Sequence, residues 1–187
     1  MTTRPSTARS DELPFILETQ LEWEIAADPA WLQGITWGTP RSGHPEGLVM
    51  FHIRDVLNNI DHFFGGSSDR PALRLIALTH DTFKYQVVRS ELGSVQSHGY
   101  LARKFAEQYV SDFRILEVIE LHDQAYKAYL FITQHGDHEA AEWHAKNLIT
   151  RLGKNIDLFM HFYLCDVQTG NKSSIHYEWF KRVAGWL

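Results

Sequence analysis

Between short breaks rich in Gly, Pro and Ser, apolar residues recur along the chain at spacings of three and four, and stretches that alternate apolar with polar residues are few. That spacing turns one face of a helix toward a core, so an almost wholly helical protein is predicted. The breaks TWGTPRSGHPEG, FGGSSDRP, TQHGD and QTGNKSS are too short to separate the chain into domains, and no segment repeats another. Residues 14–187 are therefore predicted to form one all-α domain, a compact helical bundle, behind a flexible tail over residues 1–13.

The same phase assigns individual residues to faces. A helix from about Pro45 to Phe63 carries Val49, Val56, Ile60 and Phe63 on one stripe, and His52 falls on it between Val49 and Val56. Pro71 suits the first turn of the next helix, whose stripe Leu73, Ile76 and Ala77 runs on to His80, with Asp81 at the helix end. In SHGYLARKFAEQYV, Ser97 is a candidate cap and His98 shares a face with Leu101, Ala102, Phe105 and Tyr109. In SDFRILEVIELHDQ, capped by Ser111 or Asp112, His122 is in phase with Ile115 and with Val118 or Ile119. KNIDLFMHFYLCD steps from Ile156 to Phe159, Tyr163 and Asp166, which turns the Asp166 carboxylate toward the core as well.

Composition changes what those inward polar residues mean. At 187 residues, 44% hydrophobic and with six Trp, the chain can bury a core without disulfides or a structural metal, so a metal here would serve chemistry. The formal net charge of −5 gives no field for a long nucleic acid, while a local basic pocket for a small anion stays open. The one cysteine, Cys165, precludes an intramolecular disulfide and points to a reducing, cytoplasmic setting. MTTRPSTARSDELP lacks the apolar core of a secretory signal, and no run approaches the roughly 18 apolar residues of a membrane span, so no membrane partner is expected. Self-association is left open.

Burying a carboxylate or imidazole without a partner costs several kcal/mol. Any one inward histidine is readily satisfied by a hydrogen bond in the core. His52, His80, Asp81, His98, His122 and Asp166, six such groups at or near the ends of apolar stripes, are satisfied together by shared divalent ions. Imidazole and carboxylate without thiolate suit Mn, Fe, Mg or Zn. Cys165 adjoins Asp166 but is rotated from it by about 100° on a helix and reads as packing. Asp123 stands at the same angle to His122 and is left out of the set.

In this order, His52, then His80-Asp81, then Asp166, the residues resemble the HD-domain superfamily of metal-dependent phosphohydrolases over roughly residues 44–170. LIALTHDTFK is similar to the family signature of an apolar helix ending in His-Asp with a lysine three residues on, here Lys84, and MFHIRDVL is similar to the segment carrying its first histidine. The resemblance implies a bundle of the HD type. Because His98 and His122 lie where two further ligands belong, it also implies the form of the family that binds two ions. Asp81 would then bridge, with His52, His80 and Asp166 on one ion and His98 and His122 on the other. It implies hydrolysis of a small phosphoester, such as a nucleotide or phosphodiester, by metal-activated hydroxide, with Asp81 and Lys84 as the catalytic residues. Thr82 and Phe83 depart from the small residues usual after the pair, and no loop aligns with a family substrate motif, so the substrate is not assigned. Two alternatives stand beside the hydrolase: a di-iron oxygenase of the same ligand pattern, and a non-catalytic module that holds a nucleotide.

Other polar residues are weaker candidates. His44 and Glu46 could line the pocket rim or donate a proton to a leaving group, or simply open a helix. Arg54 faces away from His52. Arg103, Lys104 and Lys127 are candidate phosphate contacts by charge alone, and a solvated face is the favoured reading for each. His62, His135, His138, His144, His161 and His176 are expected to be solvated, and TGNKSS is expected to be a helix connection within reach of a substrate rather than a phosphate-binding loop.

Overall fold

The computed structural model describes residues 13–87 and 97–186. The helices are α1 (Gln20–Ala26), α2 (Pro29–Ile35), α3 (Val49–Phe64), α4 (Arg70–Thr79), α5 (His98–Ala106), α6 (Phe113–Leu121), α7 (Gln124–His135), α8 (His138–Leu152), α9 (Ile156–Val167) and α10 (Ile175–Ala184). Turns of 3₁₀ type stand at Lys84–Gln86 and Gly153–Asn155. Among the described residues there is no strand, only an isolated bridge between Arg41 and His44, so the predicted all-α class holds. No helix of the described residues is long and apolar enough to cross a membrane. The tail reading of residues 1–13 lies outside the described residues except at Leu13, which packs against the core.

The phase argument accounts for the centre of the bundle. α3 packs on α4 and α9, and α4 packs also on α6, while α5 pairs with α6, α7 pairs with α8, and α10 closes against α7, α8 and α9. Ile53, Val56 and Ile60 from α3 meet Leu73, Ile76 and Leu78 from α4, Val118 and Ile119 from α6, and Phe159 and Phe162 from α9, all buried. Burial of each such side chain contributes about 1.5–3 kcal/mol before entropy is counted. Asp112, not Ser111, caps α6 by accepting from the Arg114 N–H, and Ser97 caps α5 through the Tyr100 N–H.

Two boundaries differ from expectation. The helix carrying His52 begins at Val49 rather than Pro45, because Gly47 takes a left-handed φ of 78° and the Arg41–His44 bridge closes a turn ahead of it. Phe63 is exposed at 43%, since the inward stripe passes from Ile60 to Phe64, which packs against the core.

α1 and α2 brace the C-terminal half of α4. The buried Arg74 guanidinium meets the Glu22 carboxylate at 2.8 and 3.0 Å and donates to the Ile16 carbonyl. Trp31, fully buried, donates its indole N–H to the Leu78 carbonyl at 2.7 Å. These contacts hold α4 where its last turn presents His80 and Asp81.

Candidate metal centre

The six expected residues come together, each from a helix end. His52 stands in the first turn of α3, His80 and Asp81 follow α4, His98 opens α5, His122 caps α6, and Asp166 lies in the last turn of α9. His80 Nδ1 bonds the Ala77 carbonyl at 3.0 Å and His122 Nδ1 bonds the Ile119 carbonyl at 2.8 Å. Each bond places the ring proton on Nδ1 and leaves the Nε2 lone pair aimed at Asp81.

Asp81 divides the imidazoles into two pairs. Its Oδ2 lies 3.5 Å from Nε2 of both His52 and His80. Its Oδ1 lies 3.4 Å from His122 Nε2 and 3.6 Å from His98 Nε2. The Nε2 atoms are 3.3 Å apart in the first pair and 3.0 Å apart in the second. Asp166 Oδ1 closes the first group at 3.1 Å from His52 Nε2. His52, His80 and Asp81 form one group of ligand atoms within 4.8 Å of one another, and Asp81, His98 and His122 form another. Asp81 Oδ1 is buried with no hydrogen-bond partner. A carboxylate oxygen orphaned between convergent imidazoles fits divalent cations, on the chemistry of the donor set and on the unmet cost of that oxygen.

The local field favours the neutral ring at His80 and His98, whereas bonding to Asp81 raises His122. Burial pushes His80 down to about 3 and His98 down to about 4, so both rings are neutral at pH 7, as ligation requires. Burial alone would raise Asp81 and Asp166, but Lys84 and the neighbouring imidazoles outweigh it at Asp81, and Lys172 and His52 outweigh it at Asp166, so both carboxylates stay well below the usual range.

The site floors a cleft of about 580 Å³. Three lysines line it, each beside an aspartate: Lys84 Nζ on Asp81 Oδ2, Lys127 Nζ 2.9 Å from Asp123 Oδ2, and Lys172 Nζ 2.8 Å from Asp166 Oδ1. Lys84 thus stands where the motif placed it, and Lys127 reaches the cleft. Arg103 and Lys104 do not, because they turn to Glu107 and Glu120. Asp123 Oδ2 lies 3.6 Å from His98 Nε2, because α6 ends at Leu121 and the helical rotation no longer aims the side chain, but Asp123 belongs to neither group of ligand atoms and pairs with Lys127. His176 corrects its reading as solvated, for it lines the cleft and is bonded through Nδ1 to the Tyr163 hydroxyl. Its spacing to Phe180 and Val183, four and three, carried that signal. His161 is half-buried and paired with Asp69, whereas His62, His135, His138 and His144 are exposed as expected. Arg54 pairs with Asp55, away from the site, and Cys165 is buried in the core.

No family model, curated protein or solved structure matches the chain.

Proposed function

We propose that the protein is a metal-dependent phosphohydrolase of the HD type, acting on a small phosphoester such as a nucleotide or phosphodiester. The observation that carries this reading is the Asp81 carboxylate shared between two imidazole pairs at the floor of a cleft walled by lysines. His52, His80, Asp81 and Asp166 would hold one divalent ion, and Asp81, His98 and His122 the other. When bound, such ions acidify water and neutralise charge on a phosphoryl group.

The chain's own groups handle the substrate. Lys84, Lys127 and Lys172 draw an anion into the cleft and orient its oxygens by charge-assisted hydrogen bonds. Tyr126, Leu130 and Val167 offer an apolar wall to the rest of the ester. The volume falls in the range of about 300–1,000 Å³ common for small-molecule sites. A polyol substrate of the di-iron alternative has no use for three ammonium groups, whereas a phosphonate substrate of that alternative would pair with them as a phosphoester does. A reducing, cytoplasmic setting belongs to the same proposal.

The test is phosphate release from a panel of phosphomonoesters and phosphodiesters by protein loaded with Mn, Fe, Mg or Zn. Metal-loaded protein that hydrolyses none of them would sink the hydrolase reading. Substrate-dependent oxygen uptake by the iron form would replace it with an oxygenase, and tight nucleotide binding without turnover would replace it with a binding module.

A further inference from the structure

One buried carboxylate beside the site has no role in the chemistry above. Glu46 lies in the turn ahead of α3, and its side chain is only 5% exposed. Its Oε1 accepts from His44 Nδ1 at 2.9 Å and lies 3.4 Å from His52 Nδ1. Across the same His52 ring, Nε2 faces Asp166 and His80. Glu46 Oε2 and His52 Nδ1 are both buried without a hydrogen-bond partner. An unmet buried polar group costs about 1–3 kcal/mol, and a slight turn of either side chain joins the His52 N–H to the carboxylate and removes that cost.

We propose that Glu46 is a positioning residue, which holds His52 through Nδ1 so that the Nε2 lone pair is presented to the metal centre. The inference rests on the metal reading given above. His44, Glu46 and His52 also satisfy ligand spacing among themselves, within 4.8 Å. A third ion there would require His52 to ligate through both nitrogens and to give up its ring proton, whereas a hydrogen bond to Glu46 requires neither. Carboxylate, histidine and metal in series is the arrangement by which an outer group fixes tautomer and ring orientation.

The turn is built to keep Glu46 in place. Gly170, at φ 59°, passes so close that a Cβ there would lie 2.9 Å from Pro45 Cδ and 3.2 Å from Glu46 Oε2. The Gly43 N–H donates to Asn171 Oδ1 at 2.9 Å. The loop that carries Lys172 therefore braces the turn that carries Glu46, and both border the same ligands.

The test uses Co²⁺ as probe, with affinity read by competition against a chelator, the ligand field read by visible absorption, and ions counted per chain at saturation. E46A is expected to weaken binding by about 10–100-fold and to alter the spectrum. E46Q, whose amide oxygen still accepts from Nδ1–H, is expected to recover most of the affinity, and both variants are expected to keep the full ion count. H44A, which leaves Glu46 beside His52, is expected to bind like the wild type. If E46A does not fold, E46M fills the space without an acceptor and carries the same expectation. Wild-type affinity and spectrum in E46A would overturn the proposal, and one ion fewer at saturation would overturn it in favour of direct ligation by Glu46. A wild-type protein that binds no divalent ion would instead remove the metal reading itself.

Discussion

Lys172 Nζ lies 2.8 Å from Asp166 Oδ1, the same oxygen that faces His52 Nε2 at 3.1 Å. Lys172 therefore stands against the candidate metal centre beside the first group of ligand atoms, where an anion bound as proposed would meet it. K172A removes a charge-assisted hydrogen bond of about 1.5–3 kcal/mol. On the proposed function, phosphoester kcat/KM is expected to fall about 10–100-fold with ion content retained. Steady-state kinetics with elemental analysis checks this, and unchanged kcat/KM would take Lys172 out of the anion site.

Three aspartates and three lysines line the cleft, so their charges cancel. Added divalent ions leave it positive, and binding of inorganic phosphate is expected only when they are present. Calorimetric titration of chelated and Mn-loaded protein decides the point. Equal affinity in both forms would mean that the lysines alone hold the anion.

The division of imidazoles by Asp81 sets different losses for different ligands. H80A or D81N is expected to remove most bound metal, whereas H98A is expected to spare the ion beside His52, His80 and Asp166. Ion counts per chain test this. Full content and turnover in H98A would leave His98 outside the centre.

In chelated protein, stability is expected to fall with acid below the ordinary histidine value of 6.5, because burial holds folded His80 at about 3 and His98 at about 4. Between those values and 6.5 the unfolded chain takes protons that the folded chain refuses, so the contribution is complete above 6.5 and is lost as pH falls. The loss is about 1.4 kcal/mol per pH unit for each of these two histidines, offset in part by His122, whose raised value works in the opposite direction. Asp81 and Asp166, held down in the folded state, act in the same direction as His80 and His98 at still lower pH. Urea midpoints at pH 7 and 5 measure it, and equal midpoints would contradict it.

Gly34 in α2 is packed so tightly that a Cβ there would lie 1.9 Å from the Thr82 carbonyl oxygen. Gly to Ala inside a helix ordinarily stabilises by about 0.5–1 kcal/mol. G34A is instead expected to destabilise by about 1–3 kcal/mol and to weaken ion binding, since Thr82 follows Asp81 directly. A rise in melting temperature would show that the contact is not as close as stated.

The helices and the inward direction of His52, His80, His98, His122 and Asp166 were legible in the sequence, because direction on a helix is a local property set by phase and by the apolar residues one turn away. Where a helix stops, that rule stops with it. Asp123 follows the end of α6, Glu46 precedes α3 and Lys172 follows α9, and backbone turns rather than helical rotation aim all three. Arg103 and Lys127 look alike along the chain, yet Glu120 claims one and the cleft receives the other.

By itself, then, the order of residues determined an all-helical chain with six polar groups turned inward. Only tertiary packing decided that those groups share one carboxylate, with a different pair of imidazoles on each oxygen. Distances between helices depend on how α3, α4, α5, α6 and α9 pack on one another, and no local periodicity encodes them.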